Sequence, residues 1–128
     1  FDEVEVLPGV FANGQYTLGE NIADQGGLRV AMTAFLDSQL KKGVDVDSPE
    51  AMIDGFSPKQ VFYMNYANLW ASNIRDEEIK SLTQGDVHSL GRNRVNVTLR
   101  NIAPFFEAFS ITEDQPMYRP DSTRVVIW

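Results

Sequence analysis

A helical periodicity running from Leu18 to Lys42 constrains this chain more than any other feature. Ile22, Ala23, Leu28, Ala31, Ala34, Phe35 and Leu36 recur at three-to-four spacing, which lays apolar groups along one stripe of an α-helix. At about 1.5 Å per residue the helix would be about 37 Å long, the width of a small domain, so the remaining elements must pack along it. Lys41-Lys42-Gly43 gives it a basic end and a stop. Thr17-x-x-Glu20 fits a capping box at its start. Glu20 and Asp24, four apart, project from one face. That spacing suits a metal site and equally suits a capped helix with a solvated acidic turn. Gly26-Gly27 lies inside the helix, where each glycine costs about 1 kcal/mol relative to alanine. The pair predicts either close approach of another backbone or a local bend.

The rest of the chain predicts a mainly α protein. Residues 1–16 read as an extended entry segment, with Val4-Glu5-Val6 as a short strand and turns at Pro8-Gly9 and Asn13-Gly14. A polar loop follows the long helix from Gly43 to Phe56. Ser57-Pro58-Lys59-Gln60 opens a second helix, with serine as cap, proline in the first turn and glutamine to close the capping box. Its body, Val61 to Ser72, carries an aromatic stripe expected to be core. Asp76 to Leu82 reads as a short amphipathic helix, Thr83 to Thr98 as loop and extended chain, and Pro104 as the start of a last helix.

Composition narrows the function. Eighteen acidic against eleven basic residues give a formal net charge of −7, so an acidic surface disfavours nucleic acid and anionic membranes as partners. The absence of cysteine excludes disulfides and thiolate metal sites. The 128 residues suit one modest domain. No apolar run is long enough to cross a bilayer, and no basic-then-apolar leader opens the chain. A start on Phe1 suggests an internal or processed beginning. Asn96-Val97-Thr98 is formally a glycosylation triplet.

Three blocks resemble one family. Gly19-Glu20-Asn21-Ile22-Ala23-Asp24 followed by Gly26-Gly27 is similar to the third-ligand helix of the neprilysin family of zinc metalloendopeptidases. Asp86-Val87-His88-Ser89-Leu90-Gly91-Arg92-Asn93-Arg94 resembles its D-x-H-S-x-G-x-x-R segment. Met117-Tyr118-Arg119-Pro120 and Arg124-Val125-Val126-Ile127-Trp128 resemble its C-terminus.

The resemblance implies that residues 1–128 are the C-terminal, helical portion of a two-lobed gluzincin-type catalytic domain that hydrolyses small peptides with zinc-activated water. Carried over residue by residue, Glu20 is the third zinc ligand and Asp24 braces a zinc-binding imidazole. His88 donates to the oxyanion, Asp86 orients His88, and Arg94 grips a substrate carbonyl. The family's other two ligands and its general base lie on an upstream H-E-x-x-H helix, and this chain has one histidine. The isolated chain is therefore expected to be inactive and to bind zinc weakly. Animal members carry disulfides near Ala71, Ser110 and the C-terminus, so a cysteine-free chain implies a bacterial relative, and the family resemblance implies an exported one, periplasmic or in the cell envelope. Its expected partners are peptide substrates and the remainder of the parent chain, with self-association through surface that the parent would cover. The rival reading is a non-catalytic helical interaction module, with the Val61 to Trp70 face as partner surface.

Overall fold

In the computed structural model, which describes residues 1–127, the chain opens with a hairpin. Strands β1 (Glu5–Leu7) and β2 (Val10–Phe11) pair antiparallel across Pro8-Gly9, with an irregular register between Glu5 and Leu7. Gly9 has φ +76°, and its N–H donates to Glu5 Oε1 at 2.7 Å. The turn therefore uses glycine for the left-handed backbone that other residues resist.

Helix α1 (Leu18–Lys41) is the axis of the fold, and it buries Asn21, Gln25, Gly26, Leu28 and Met32. The buried stripe thus begins with two polar side chains and becomes apolar only from Leu28. Its C-terminus closes as a Schellman motif: Val44 N–H bonds to Gln39 O at 3.0 Å and Gly43 N–H to Leu40 O at 2.9 Å, with Gly43 at φ +73°.

Beyond a 3₁₀ turn at Pro49–Ala51, Asp54-Gly55 makes a tight hairpin between Ile53 and Phe56, both central residues having positive φ. Helix α2 (Pro58–Leu69) starts with the expected capping box: Gln60 N–H donates to Ser57 Oγ at 3.2 Å, and Ser57 N–H donates to Gln60 Oε1 at 2.9 Å. Helices α3 (Asp76–Gly85), α4 (Gly91–Leu99) and α5 (Ala103–Phe109) follow, and a 3₁₀ turn at Asp121–Thr123 precedes the tail.

Helix α1 packs on α4, α2 on α5 and α3 on β1. The core, Leu28, Met32, Tyr63, Leu99, Ile102, Phe105 and Phe106, lies where these layers meet. An aromatic ladder runs through it, with ring centroids 5.4 Å apart for Phe62 and Tyr63 and 5.4 Å for Tyr63 and Phe105, both edge-to-face. The tail is held against α1: Gln25 Nε2 donates to Val125 O, Arg29 Nη1 donates to Ile127 O at 3.0 Å, and Val125 N–H donates to Asn101 Oδ1 at 2.9 Å. Trp128, which ends the C-terminal block singled out above, lies outside the described residues.

The fold is mainly α, and three local expectations are corrected. The stretch from Gly91 to Leu99 is helix rather than loop. The Thr17 capping box does not form: the Thr17 backbone N–H donates to Asn13 O at 3.1 Å, and the Thr17 hydroxyl oxygen accepts from the Asn21 side chain at 3.0 Å rather than from the helix backbone. The α2 stripe divides: Tyr63 is buried at 2% exposure, whereas Leu69 is 77% exposed. A Cβ at Gly27 would meet nothing within 4 Å, so no other backbone of this chain crowds that glycine. Gly27 instead lines an open cleft of about 870 Å³ between α1 and α2, with Ala23, Leu28, Phe35, Phe62 and Leu69.

Candidate functional site

The first two turns of α1, the 86–90 loop and the first turn of α4 meet at one place. They bring together all five residues singled out in the sequence. Glu20 Oε2 lies 3.3 Å from His88 Nε2, and His88 Nδ1 lies 2.8 Å from Asp86 Oδ1. The same Asp86 oxygen accepts the His88 backbone N–H at 2.9 Å, so one carboxylate fixes both the main chain and the ring of His88. That backbone hydrogen bond, and then the ring, hold the Asp86 carboxyl below the usual carboxylate range. An ionised carboxylate only accepts, so the hydrogen between them belongs to Nδ1. Nε2 then accepts in the neutral ring and donates in the imidazolium. The side chains of Glu20 and His88 are 40% and 45% exposed, which leaves both open to a ligand.

One turn along α1, Asp24 meets Arg94 in a bidentate pair. Arg94 Nε donates to Asp24 Oδ2 and Nη2 donates to Asp24 Oδ1, each at 2.6 Å, with the side chains 11% and 13% exposed for Asp24 and Arg94. The guanidinium also lies over the Trp70 ring, with Cζ 3.8 Å from its centroid. Tyr66 Oη donates to Arg94 O at 3.0 Å. Hydrogen bonding to Asp24 raises the Arg94 pKa above its ordinary value, outweighing burial. Neither partner is exhausted: two of five guanidinium N–H donors are used, and a carboxylate accepts about four hydrogen bonds. Arg94 can still reach a carbonyl oxygen, and Asp24 can still accept an imidazole N–H.

Gly91 sets how closely these elements approach. A Cβ there would lie 2.6 Å from Trp70 O and 3.3 Å from Trp70 Cβ. Only glycine lets α4 begin against the end of α2, and that contact brings Arg94 over Trp70. It also gives a physical reason for the glycine in the His88 block.

Two residues escaped the sequence reading as site components. Ser89 Oγ donates to Asn21 Oδ1 at 2.7 Å and lies 3.1 Å from Thr17 Oγ1, while Asn21 Nδ2 donates to Thr17 Oγ1 at 3.0 Å. All three side chains are buried. The signals available were their place in the two blocks quoted above and their adjacency, since Asn21 follows Glu20 and Ser89 follows His88. The glycosylation triplet has no such standing: Asn96 lies within α4, and Thr98 is 1% exposed.

Among the described residues, no three His, Asp or Glu side chains converge to hold a metal ion. Glu20 by itself fits as a hard carboxylate donor, because it is exposed and its nearest partner is an imidazole. A closed ligand set needs further donors from beyond these residues. No helix among them is long and apolar enough to cross a membrane.

The chain is similar to known proteins over nearly its whole length. Neutral endopeptidase of Lactococcus lactis subsp. lactis is 34% identical over 128 residues, covering all of this chain and 18% of that protein. Human neprilysin is 38% identical over 123 residues, covering 94% of this chain and 16% of its own length. The crystal structure of the Mycobacterium tuberculosis zinc metalloprotease Zmp1 in complex with an inhibitor superposes with a TM-score of 0.83 at 33% identity, covering 92% of this chain and 17% of that one. The chain thus spans less than a fifth of the length of each. A family model described as Peptidase family M13 matches residues 1–125, and the chain belongs to that family.

Proposed function

We propose that this chain is the C-terminal part of a zinc metalloendopeptidase catalytic domain that hydrolyses small peptides. The observation that carries the reading is the convergence of Glu20, His88 and Asp86 beside the Asp24–Arg94 pair, across about seventy residues of sequence. Glu20 would hold the metal through its exposed carboxylate, alongside nitrogen ligands from the remainder of the parent chain. When bound, zinc lowers the pKa of water so that a nucleophile is available near neutral pH.

The chain's own residues supply binding and charge stabilisation. His88 Nε2, as imidazolium, donates to the carbonyl oxygen of the scissile peptide as that oxygen gains negative charge, and Asp86 holds the ring for that role. A donor whose bond strengthens as charge develops lowers the barrier rather than only tightening substrate binding. Arg94 offers its remaining N–H groups to a neighbouring substrate carbonyl, and Trp70 and Asp24 fix its plane. Asp24 uses its spare acceptor capacity to brace an incoming imidazole ligand, setting its tautomer. The open cleft between α1 and α2 is surface that the remainder of the parent would cover, and in the isolated chain it favours self-association. A bacterial source suits the cysteine-free composition and the bacterial relative, and export follows from the family reading alone.

The test is peptide hydrolysis by the full-length protein that contains this chain. Activity abolished by a chelator, restored by zinc and lost in Glu20→Ala is expected, as is no hydrolysis by residues 1–128 alone. Hydrolysis by the isolated chain, or full activity of Glu20→Ala in the full-length protein, would overturn the assignment.

A further inference from the structure

We infer that Ser89 and Asn21 are positioning residues, whose hydrogen bond sets the gap between the Glu20 carboxylate and the His88 imidazole. The inference rests on the reading of Glu20 and His88 as site residues and goes beyond it to what holds them in register. His88 and Glu20 are both well exposed and touch at 3.3 Å, a contact too open to define its own geometry. Asp86 orders the His88 ring only with respect to its own loop. Apart from the Glu20–His88 contact, the side-chain hydrogen bonds joining the 86–90 loop to α1 among the described residues all run through Ser89.

The geometry makes that link decisive. Ser89 immediately follows His88 and Asn21 immediately follows Glu20, so the 2.7 Å bond between the followers ties the backbones that carry the site residues. Thr17, at the start of α1, completes the triangle by accepting from Asn21 Nδ2 at 3.0 Å while it donates to Asn13 O. Ser89, Asn21 and Thr17 are 9%, 6% and 6% exposed. In so dry a setting each polar group depends on the others, because water does not replace a lost partner. A neutral cluster of this kind fixes position without adding charge next to the site.

Ser89→Ala in the full-length protein tests this. The expected result is a fall in kcat of about 10²-fold with KM little changed, the consequence of misplacing a reacting group by about 1 Å. Ser89→Thr, which keeps the hydroxyl, is expected to restore most of the rate. Asn21→Ala removes the same bond from the other side and gives the same reading should Ser89→Ala not fold. Crystal structures of wild type and variant give the second readout, a Glu20–His88 separation wider by about 1 Å in the alanine variant. An unchanged separation overturns the inference whatever the kinetics show. A wild-type protein that does not hydrolyse peptides would overturn the functional reading instead and leave the separation to decide this one.

Discussion

Asp24 and Arg94 meet through two parallel hydrogen bonds of 2.6 Å, although seventy residues separate them in the chain. The pair is mostly buried and rests against Trp70, so removing one partner strands a charge in a poorly solvated place. Asp24→Asn is expected to destabilise the fold by about 3 kcal/mol, measured by urea unfolding. Arg94→Lys, which keeps the charge and loses the planar fork and the ring stacking, is expected to be destabilising as well. Wild-type stability in both variants would mean that the pair is dispensable to the fold.

His88 offers the sharpest kinetic prediction. In the full-length protein, His88→Ala should reduce kcat by about 10²-fold or more, because the lost donor acts on charge that develops only during reaction. KM should change little. Steady-state kinetics on a short peptide would read both, and a change confined to KM would assign His88 to ground-state binding.

At Gly91 the prediction is steric. Alanine places a methyl group 2.6 Å from the Trp70 carbonyl oxygen, a backbone atom that cannot rotate away. Gly91→Ala should cost about 1 to 3 kcal/mol, as overpacking does. A melting temperature equal to wild type would show that α4 shifts freely relative to α2.

Two phenols report on the interior. Burial, assisted by the Glu107 charge, pushes the Tyr63 hydroxyl up to about 12; burial, assisted by the Asp24 charge, does the same at Tyr66. A phenol raised in the folded state contributes stability that is whole below its ordinary value of 10 and is lost as pH rises through about 12. Ultraviolet titration should find two tyrosines ionising near 12, and unfolding free energy should decline between pH 10 and 12. Ionisation of both near 10 would contradict the burial described.

Ser57→Ala removes the hydroxyl that caps α2 and leaves Gln60 N–H without its partner. The expected loss is about 1 kcal/mol by thermal or denaturant unfolding. Ser57→Asp, which keeps an acceptor at the cap, should retain most of it.

What could be read in advance follows how local its causes are. The span of α1, the capped start of α2 and the proline start of α5 depend on neighbouring residues, and all three were legible in the sequence. Helix α4 was not legible, because Gly91, Asn93 and Val95 offset the helical preference of Arg92 and Arg94 and the segment has no apolar stripe of helical period. Its helix depends on distant partners: Trp70 at Gly91, Asp24 at Arg94, and the burial of Asn93, Thr98 and Leu99. The five candidate residues were picked out by family resemblance and not by spacing, since no periodicity links residue 20 to residue 88. Asn21 and Ser89 stand in the quoted blocks but were given no role, because pattern reading sends polar side chains to solvent, and here they form a buried polar cluster.

The bonds that assemble the site span 68 to 72 residues, and this has a consequence for folding kinetics. Closing so long a loop costs chain entropy before any contact offsets it, whereas α2 and α5 join through the Tyr63–Phe105 contact over a shorter span. The aromatic core should therefore consolidate first and the Glu20–His88 junction last. In stopped-flow refolding of a Trp128→Phe variant, which leaves Trp70 as the sole tryptophan, fluorescence should recover in a later phase than helical circular dichroism. A single shared phase would mean that the junction forms together with the core. In the late-closing case, Glu20 and His88 stay apart in every partly folded intermediate of this chain and meet only in the final step.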